Sequence, residues 1–270
     1  YSRNNQERIL LQLKNFIKIP SISSSSKNLK DIENCAQFIY DDLINIGFNN
    51  VEIIETKKHP IVYGELINSS ILPTVLIYGH YDVQPVNPLN LWTSPPFEAT
   101  IRNGRLYGRG TVDDKGQVHL HLKAIESWIK TCGKLPVNIK FIIEGEEEIG
   151  SENLDPFIKK NKKKLASDII IISDTSMIKK GFPSITYGLR GISYFQINVK
   201  GTSQDLHSGM YGGSVKNPIN ALVEILSKLR NSNGKILIPN FYDKVRKIAR
   251  SERKAFSELP RSSENINIYN

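Results

Sequence analysis

Three apolar runs in this sequence end in residues that could do chemistry. TVLIYGHYDV, from Thr74, carries Gly79-His80-Tyr81-Asp82; VNIKFIIEGEE, Val137 to Glu147, continues into Glu148; DIIIISD, Asp168 to Asp174, ends Ser173-Asp174. A further acidic pair, Asp113-Asp114, lies in the tight segment Gly108 to Gly116. If the runs are strands of an α/β sheet, their acids collect beyond the carboxyl ends, where such sheets gather ligands. Carboxylates crowded there repel one another, and desolvating each is costly, so something positive must compensate. One histidine among several carboxylates points to divalent metal, and a cluster this acidic can hold two ions. Imidazole favours zinc, manganese or cobalt over calcium or magnesium.

Spacing suggests roles. On a strand, His80 and Asp82 project to the same face, so Asp82 can hold the second imidazole nitrogen. Glu147 and Glu148 are adjacent and point differently: one can bind metal while the other stays free as a general base. Each signal has a plainer reading. A lone His-x-Asp is usually a satisfied polar pair, and Glu146 to Glu148 could be a solvated helix start, where acids are favoured. The glycines of Gly108 to Gly116 do not fit a nucleotide-binding GxGxxG and open no such unit. It is the joint placement at strand ends that favours a metal site.

The elements that must position these residues alternate. Ile9, Leu10, Leu13, Phe16 and Ile17 mark one helical face, and Ile32, Cys35, Ala36, Ile39, Leu43 and Ile46 a second. Strand-like runs begin at Val51 and Pro60, before the run at Thr74, and Asn103-Gly104 reads as a hairpin turn. A helical pattern spans Gln117 to Ile129, and a Lys-rich helix precedes Asp168. The runs at Thr74, Val137 and Asp168 are apolar nearly throughout, as strands covered on both faces should be. The fold class expected is α/β, with a mostly parallel central sheet and flanking helices. Near Phe182 the texture changes. YGLRGISYFQINVKG alternates as a half-exposed strand would, and helical segments follow at Ile219 to Leu229 and Tyr242 to Phe256. The expected division is 1–181 and 182–270.

The 270 residues allow one large domain or two modest ones. The charge, 36 − 27 = +9, raises the question of nucleic acid. The basic runs Lys159 to Lys164 and Lys244 to Lys254 carry no interleaved aromatics for base stacking, so no nucleic-acid partner is expected. Cys35 and Cys132 are too few for a disulfide scaffold and read as buried small hydrophobes. No apolar run approaches membrane-spanning length and the first residues show no signal-peptide core, so the expectation is a cytoplasmic protein without a membrane partner.

YGHYDVQP (Tyr78 to Pro85), LWTSPPFEATIRNGRLYGRGTVDDKGQ (Leu91 to Gln117), EGEEEIGSENL (Glu144 to Leu154), ISDTSM (Ile172 to Met177), SITYGLRG (Ser184 to Gly191) and DLHSGMYGGSV (Asp205 to Val215) are long, ordered motifs. In them the sequence resembles the M20 family of metallopeptidases, its dipeptidase branch above all, which holds cytosolic non-specific dipeptidases, carnosinases and bacterial dipeptidases. The resemblance implies a zinc-peptidase-like catalytic domain and a smaller α+β lid that dimerises, here 182–270. It implies a hydrolase of dipeptides or short peptides using two divalent ions, zinc first, with manganese or cobalt as alternatives. On the family pattern His80, Asp113 and Asp174 hold one ion, Asp113 bridges to a second that Glu148 also holds, Asp82 supports His80, and Glu147 is the general base. Asp114 is not assigned to metal. His207 matches a histidine that reaches the partner subunit's active site and helps stabilise the oxyanion. An N-acyl amino-acid amidase of the same family, or a non-catalytic peptide-binding remnant, are the competing readings. The family's second-site histidine and substrate-clamping arginine have no counterpart in these residues, which therefore read as the N-terminal portion of a longer protein.

Overall fold

The computed structural model describes residues 1–178 and 181–259. It divides into two units, Tyr1–Ser176 and a second beginning at Met177. The last residues of the expected lid, 260–270, lie outside the described residues.

The first unit is built on a five-stranded sheet. Its strands are β1 (Asn50–Ile54), β2 (Ile61–Leu66), β3 (Thr74–His80), β6 (Asn138–Glu144) and β7 (Ile169–Ile172), in the order β1-β2-β6-β3-β7. β6, β3 and β7 are parallel neighbours, while β2 is antiparallel to both β6 and β1. Within this sheet β2 is thus the one reversed strand, and the remaining strands share a direction. A separate hairpin pairs β4 (Thr100–Arg102) with β5 (Arg105–Tyr107). Its turn residues Asn103 and Gly104 both have positive φ, at 49° and 70°, which is why an Asn-Gly pair stands there.

Alternation along the strands explains their continuous apolar runs. Val62, Val75, Ile77, Ile139, Phe141 and Ile143 face one cluster, built with α2 (Leu29–Ile46), α3 (Lys115–Cys132) and Phe16 of α1 (Gln6–Lys18). Ile61, Tyr63, Leu76 and Ile142 face a second, with Phe157 of α4 (Leu154–Lys160) and Leu165. Every apolar position read on the second helical face is buried, from Ile32 to Ile46. The helix stops at Gly47, which takes φ 111° as its C-cap.

β7 departs from expectation. It was expected to be covered on both faces, yet Ile169, Ile170, Ile171 and Ile172 are all exposed. β7 is the edge strand of the described sheet, beside β3. Cys35 is buried as expected, but Cys132 is exposed, as the last residue of α3 beside the left-handed Gly133.

In the second unit α5 (Ser208–Tyr211), α6 (Pro218–Ser227) and α7 (Arg250–Ser257) are helical. Asn217 caps α6, its side chain accepting the Ile219 N–H at 2.8 Å. Two expectations fail here. The alternating run after Tyr187 forms no strand: Ile192, Tyr194 and Phe195 are exposed, and among the described residues no chain segment pairs with them. A period of two needs a partner ladder before it becomes a strand. The helix expected from Tyr242 begins only at Arg250.

Candidate metal centre

β3, β6 and β7 are parallel, so their carboxyl ends fall on one side of the sheet. β3 ends on His80, Glu147 lies three residues beyond the end of β6, and Asp174 two beyond the end of β7. One ligand atom from each of His80, Glu147 and Asp174 falls within 4.8 Å of the others. The His80 ring is fully buried. Its Nδ1 is turned to Asp82, 3.2 Å from Oδ1 and 3.1 Å from the main-chain oxygen. Nε2 therefore faces the acids, 3.0 Å from Asp113 Oδ1 and 3.7 Å from Asp174 Oδ2.

The two acids of the Asp113-Asp114 pair have separate environments. Asp113 projects towards Nε2 with its side chain half-exposed. Asp114 is buried, and its Oδ2 accepts the His80 backbone N–H at 3.1 Å. Burial foremost, with Asp174 and Asp113 nearby, raises the Asp114 carboxyl to about 7 against the pull of His80.

Asp82 has a second task that sequence reasoning missed. Its carboxylate accepts the backbone N–H of Glu147 (3.2 Å, Oδ1) and of Glu148 (3.1 Å, Oδ2). One buried side chain thus orients the imidazole and holds the short 3-10 turn Glu147–Ile149 that carries both glutamates. The glutamates diverge, as adjacent residues should: Glu147 joins His80 and Asp174, while Glu148 Oε2 accepts from Gln84 Nε2 at 2.7 Å. The turn is anchored from behind by Glu146, whose carboxylate accepts from the His59 N–H and from Asn153 Nδ2. Glu144 accepts from Tyr78 Oη (2.6 Å) and Ser151 Oγ (2.9 Å). Gly145 must be glycine, because a Cβ there would run into the Tyr81 ring.

The electrostatics ask for a cation. Burial lowers the proton affinity of His80, but the hydrogen bond and charge of Asp82, with Asp114 and Glu147, overcome it and raise the imidazole to about 10. Burial first, then neighbouring carboxylates (Glu148, Asp174 and Asp82 on Glu147; Asp113 and Asp82 on Glu148; Asp113 on Asp174), raises Glu147, Glu148 and Asp174, against the pull of the His80 charge on each and of the Gln84 hydrogen bond on Glu148. A proton on His80 is the compensation the chain itself can supply, and a divalent ion is a stronger one. The donor set fits such an ion: an imidazole nitrogen with its tautomer fixed from behind, surrounded by carboxylate oxygens.

His207 lies in the second unit, exposed, at the N-cap of α5, where its Nδ1 accepts the Gly209 N–H at 3.1 Å. Among the described residues no helix is long and apolar enough to cross a membrane.

Comparison with known proteins follows the same lines. The model of peptidase family M20/M25/M40 matches residues 76–262. The Cys-Gly metallodipeptidase dug1 of Schizosaccharomyces pombe is 35% identical over 273 residues, covering 97% of this chain and 57% of that protein. The Beta-Ala-His dipeptidase of Homo sapiens is 42% identical over 212 residues, covering 78% of this chain and 39% of that protein. Among solved structures, an M20 family metallo-carboxypeptidase, Sso-CP2 from Sulfolobus solfataricus, superposes with a TM-score of 0.78 at 35% identity, over 97% of this chain and 60% of that one. The chain spans about half the length of the curated relatives it matches.

Proposed function

The chain belongs to peptidase family M20/M25/M40, and from that premise we propose that it carries the metal-binding part of a dipeptidase, a hydrolase of the peptide bond in dipeptides or short peptides. The observation that carries the reading is the buried His80, held by Asp82 at one ring nitrogen and ringed by Asp113, Asp174 and Glu147 at the other. The relatives' names, a Cys-Gly metallodipeptidase and a Beta-Ala-His dipeptidase, support the substrate class.

In this reading two divalent ions, zinc first, occupy the acidic cluster. His80, Asp113 and Asp174 would hold one, and Asp113 and Glu148 would contribute to the other. Bound metal supplies Lewis acidity and makes water a usable nucleophile near neutral pH. Glu147 takes the proton from the attacking water and delivers it to the departing amine. Its raised proton affinity, set first by burial and then by Glu148, Asp174 and Asp82, suits a base that must release what it accepts. Asp82 keeps Nδ1 of His80 engaged and fixes the height of the Glu147 turn. The second unit forms a homodimer and brings His207 to the partner's site, where its imidazole stabilises the oxyanion.

The test, made on the whole protein that carries this chain, is hydrolysis of a dipeptide panel that includes Cys-Gly and β-Ala-His, before and after chelation. Activity lost to the chelator and restored by zinc or manganese supports the reading. Undiminished turnover after complete metal removal refutes it, and cleavage confined to N-acyl amino acids would move the protein to the amidases of the family.

A further inference from the structure

The sequence places Asp114 immediately before α3, where an aspartate ordinarily accepts an N–H from the first turn of its own helix. Here it does not. Asp114 is the N-cap residue of α3, yet its side chain makes no cap hydrogen bond. It reaches back to β3 instead, where Oδ2 accepts the His80 backbone N–H at 3.1 Å.

The strand ladder explains why that N–H needs an acceptor. The Tyr81 N–H is bonded to Glu144 of β6 at 2.9 Å, and His80 pairs with Glu144 in parallel register, so the His80 N–H points away from β6, towards β7. The pairing of β3 with β7 ends at Tyr78 opposite Ile172, two residues short of His80. Beyond Ile172 the chain leaves the ladder, and Asp174 turns its carboxylate to the imidazole. The His80 N–H, on a fully buried residue, is thus left without a strand partner, and a buried unpaired amide is costly.

A second observation shows that the fold makes room for this contact. A Cβ on Gly79 would lie 2.8 Å from Asp114 Oδ2 and 2.6 Å from Val118 Cγ2. The residue before His80 therefore has to be glycine for the start of α3 to approach β3 this closely.

We propose that Asp114 is a positioning residue for the metal centre: by accepting the His80 N–H in place of a strand partner, it locks the end of β3 to the start of α3 and so holds His80 and its own neighbour Asp113 in the register that ligation requires. The proposal rests on the reading of His80 and Asp113 as metal ligands. It gives the two adjacent aspartates different tasks, one facing the ion and one bracing the backbone behind it. The contact involves the carboxylate as a hydrogen-bond acceptor, which an asparagine side chain can replace and an alanine cannot.

The experiment is a zinc titration against a competing chelator on the purified protein and on Asp114→Ala and Asp114→Asn, with circular dichroism confirming the fold at the assay temperature. Asp114→Ala should weaken zinc binding by about 10–100-fold, as loss of an outer-shell partner does, while Asp114→Asn stays close to the wild type. Wild-type affinity in folded Asp114→Ala, or equal weakening in both variants, overturns the proposal. Amide hydrogen exchange of the wild-type protein gives a second reading that needs no variant. The His80 amide should be protected like the interior of β3, and exchange at the rate of an unpaired loop amide overturns the proposal even if Asp114→Ala fails to fold. If the wild type binds no zinc, it is the metal reading itself that fails, and protection at His80 still decides whether Asp114 braces the strand.

Discussion

Replacing Asp82 with alanine should damage stability and metal binding together. The side chain is fully buried and serves three donors: His80 Nδ1 and the backbone N–H groups of Glu147 and Glu148. Alanine leaves the two amides without an acceptor and His80 Nδ1 with only the main-chain oxygen of residue 82, 3.1 Å away. A buried donor stripped of its partner costs about 1–3 kcal/mol. The Glu147 and Glu148 amides belong to half-buried residues that water can partly reach, so each falls near the lower end, and the imidazole, which keeps its main-chain acceptor but loses the carboxylate charge, falls there too. Together this is about 3 kcal/mol, a loss that would lower the melting temperature of a unit this size by roughly 8 °C. Asp82→Asn keeps the volume and one acceptor oxygen but turns an NH2 group towards one of the donors, so it should fall between wild type and alanine. Urea denaturation followed by circular dichroism measures the stability change, and zinc competition measures the affinity, expected to drop about 10–100-fold in the alanine variant. A loss below about 1 kcal/mol with unchanged zinc affinity would refute the argument that one carboxylate supports both the ligand and the glutamate turn.

Three further outcomes are expected. Glu147→Gln should keep the metal content of the wild type and lower turnover by about 10²–10⁴-fold, the usual loss for a missing general base; a variant that loses its metal instead would make Glu147 a ligand, as its convergence with His80 and Asp174 allows. Away from the site, Glu126 lies beside Lys123, Tyr1 and Arg8, and although burial acts to raise its carboxyl, those donors pull it down to about 2. A carboxyl depressed in the folded state stabilises above its unfolded value of about 4.5 and loses that contribution as the pH falls towards 2. Asp42, raised mainly by its burial, has the opposite slope, so the comparison to make is Glu126→Gln against wild type: the variant should lose less stability between pH 5 and 2, and identical acid profiles would contradict the assignment. Finally, mixing His207→Ala with Glu147→Gln protomers should restore part of the activity if His207 acts across a dimer, and no recovery despite proven subunit exchange would count against it.

Much of the first unit could be read from the sequence because its strands are covered on both faces and its helices are amphipathic. Val75 and Ile77 face one cluster and Leu76 the other, so the run at Thr74 had to be apolar throughout. The same logic failed at β7, whose apolar residues are exposed at the edge of the described sheet. Composition records what a strand is suited to face, not what lies beside it. The run after Tyr187 failed for a related reason, since alternation without a neighbouring ladder is not a strand. At the site, the pairing of His80 with Asp82 was expected from their spacing, although β3 ends on His80 and Asp82 meets the imidazole from just beyond the strand. The grip of Asp82 on the Glu147 and Glu148 amides was not, because it depends on how a turn after β6 approaches the end of β3 across the sheet. Nor was the difference between Asp113 and Asp114. An aspartate before a helix reads as a cap, and only the early end of the β3–β7 ladder reveals an amide in need of that carboxylate.

The most direct test of the metal reading is elemental analysis of the purified protein after dialysis against metal-free buffer, set beside His80→Ala. The wild type should retain at least one equivalent of zinc or a similar transition ion per chain, and His80→Ala, which removes the imidazole from the centre of the carboxylates, should retain almost none while remaining folded. Wild-type protein that binds no divalent ion, or a His80→Ala variant that holds it equally well, would contradict the account.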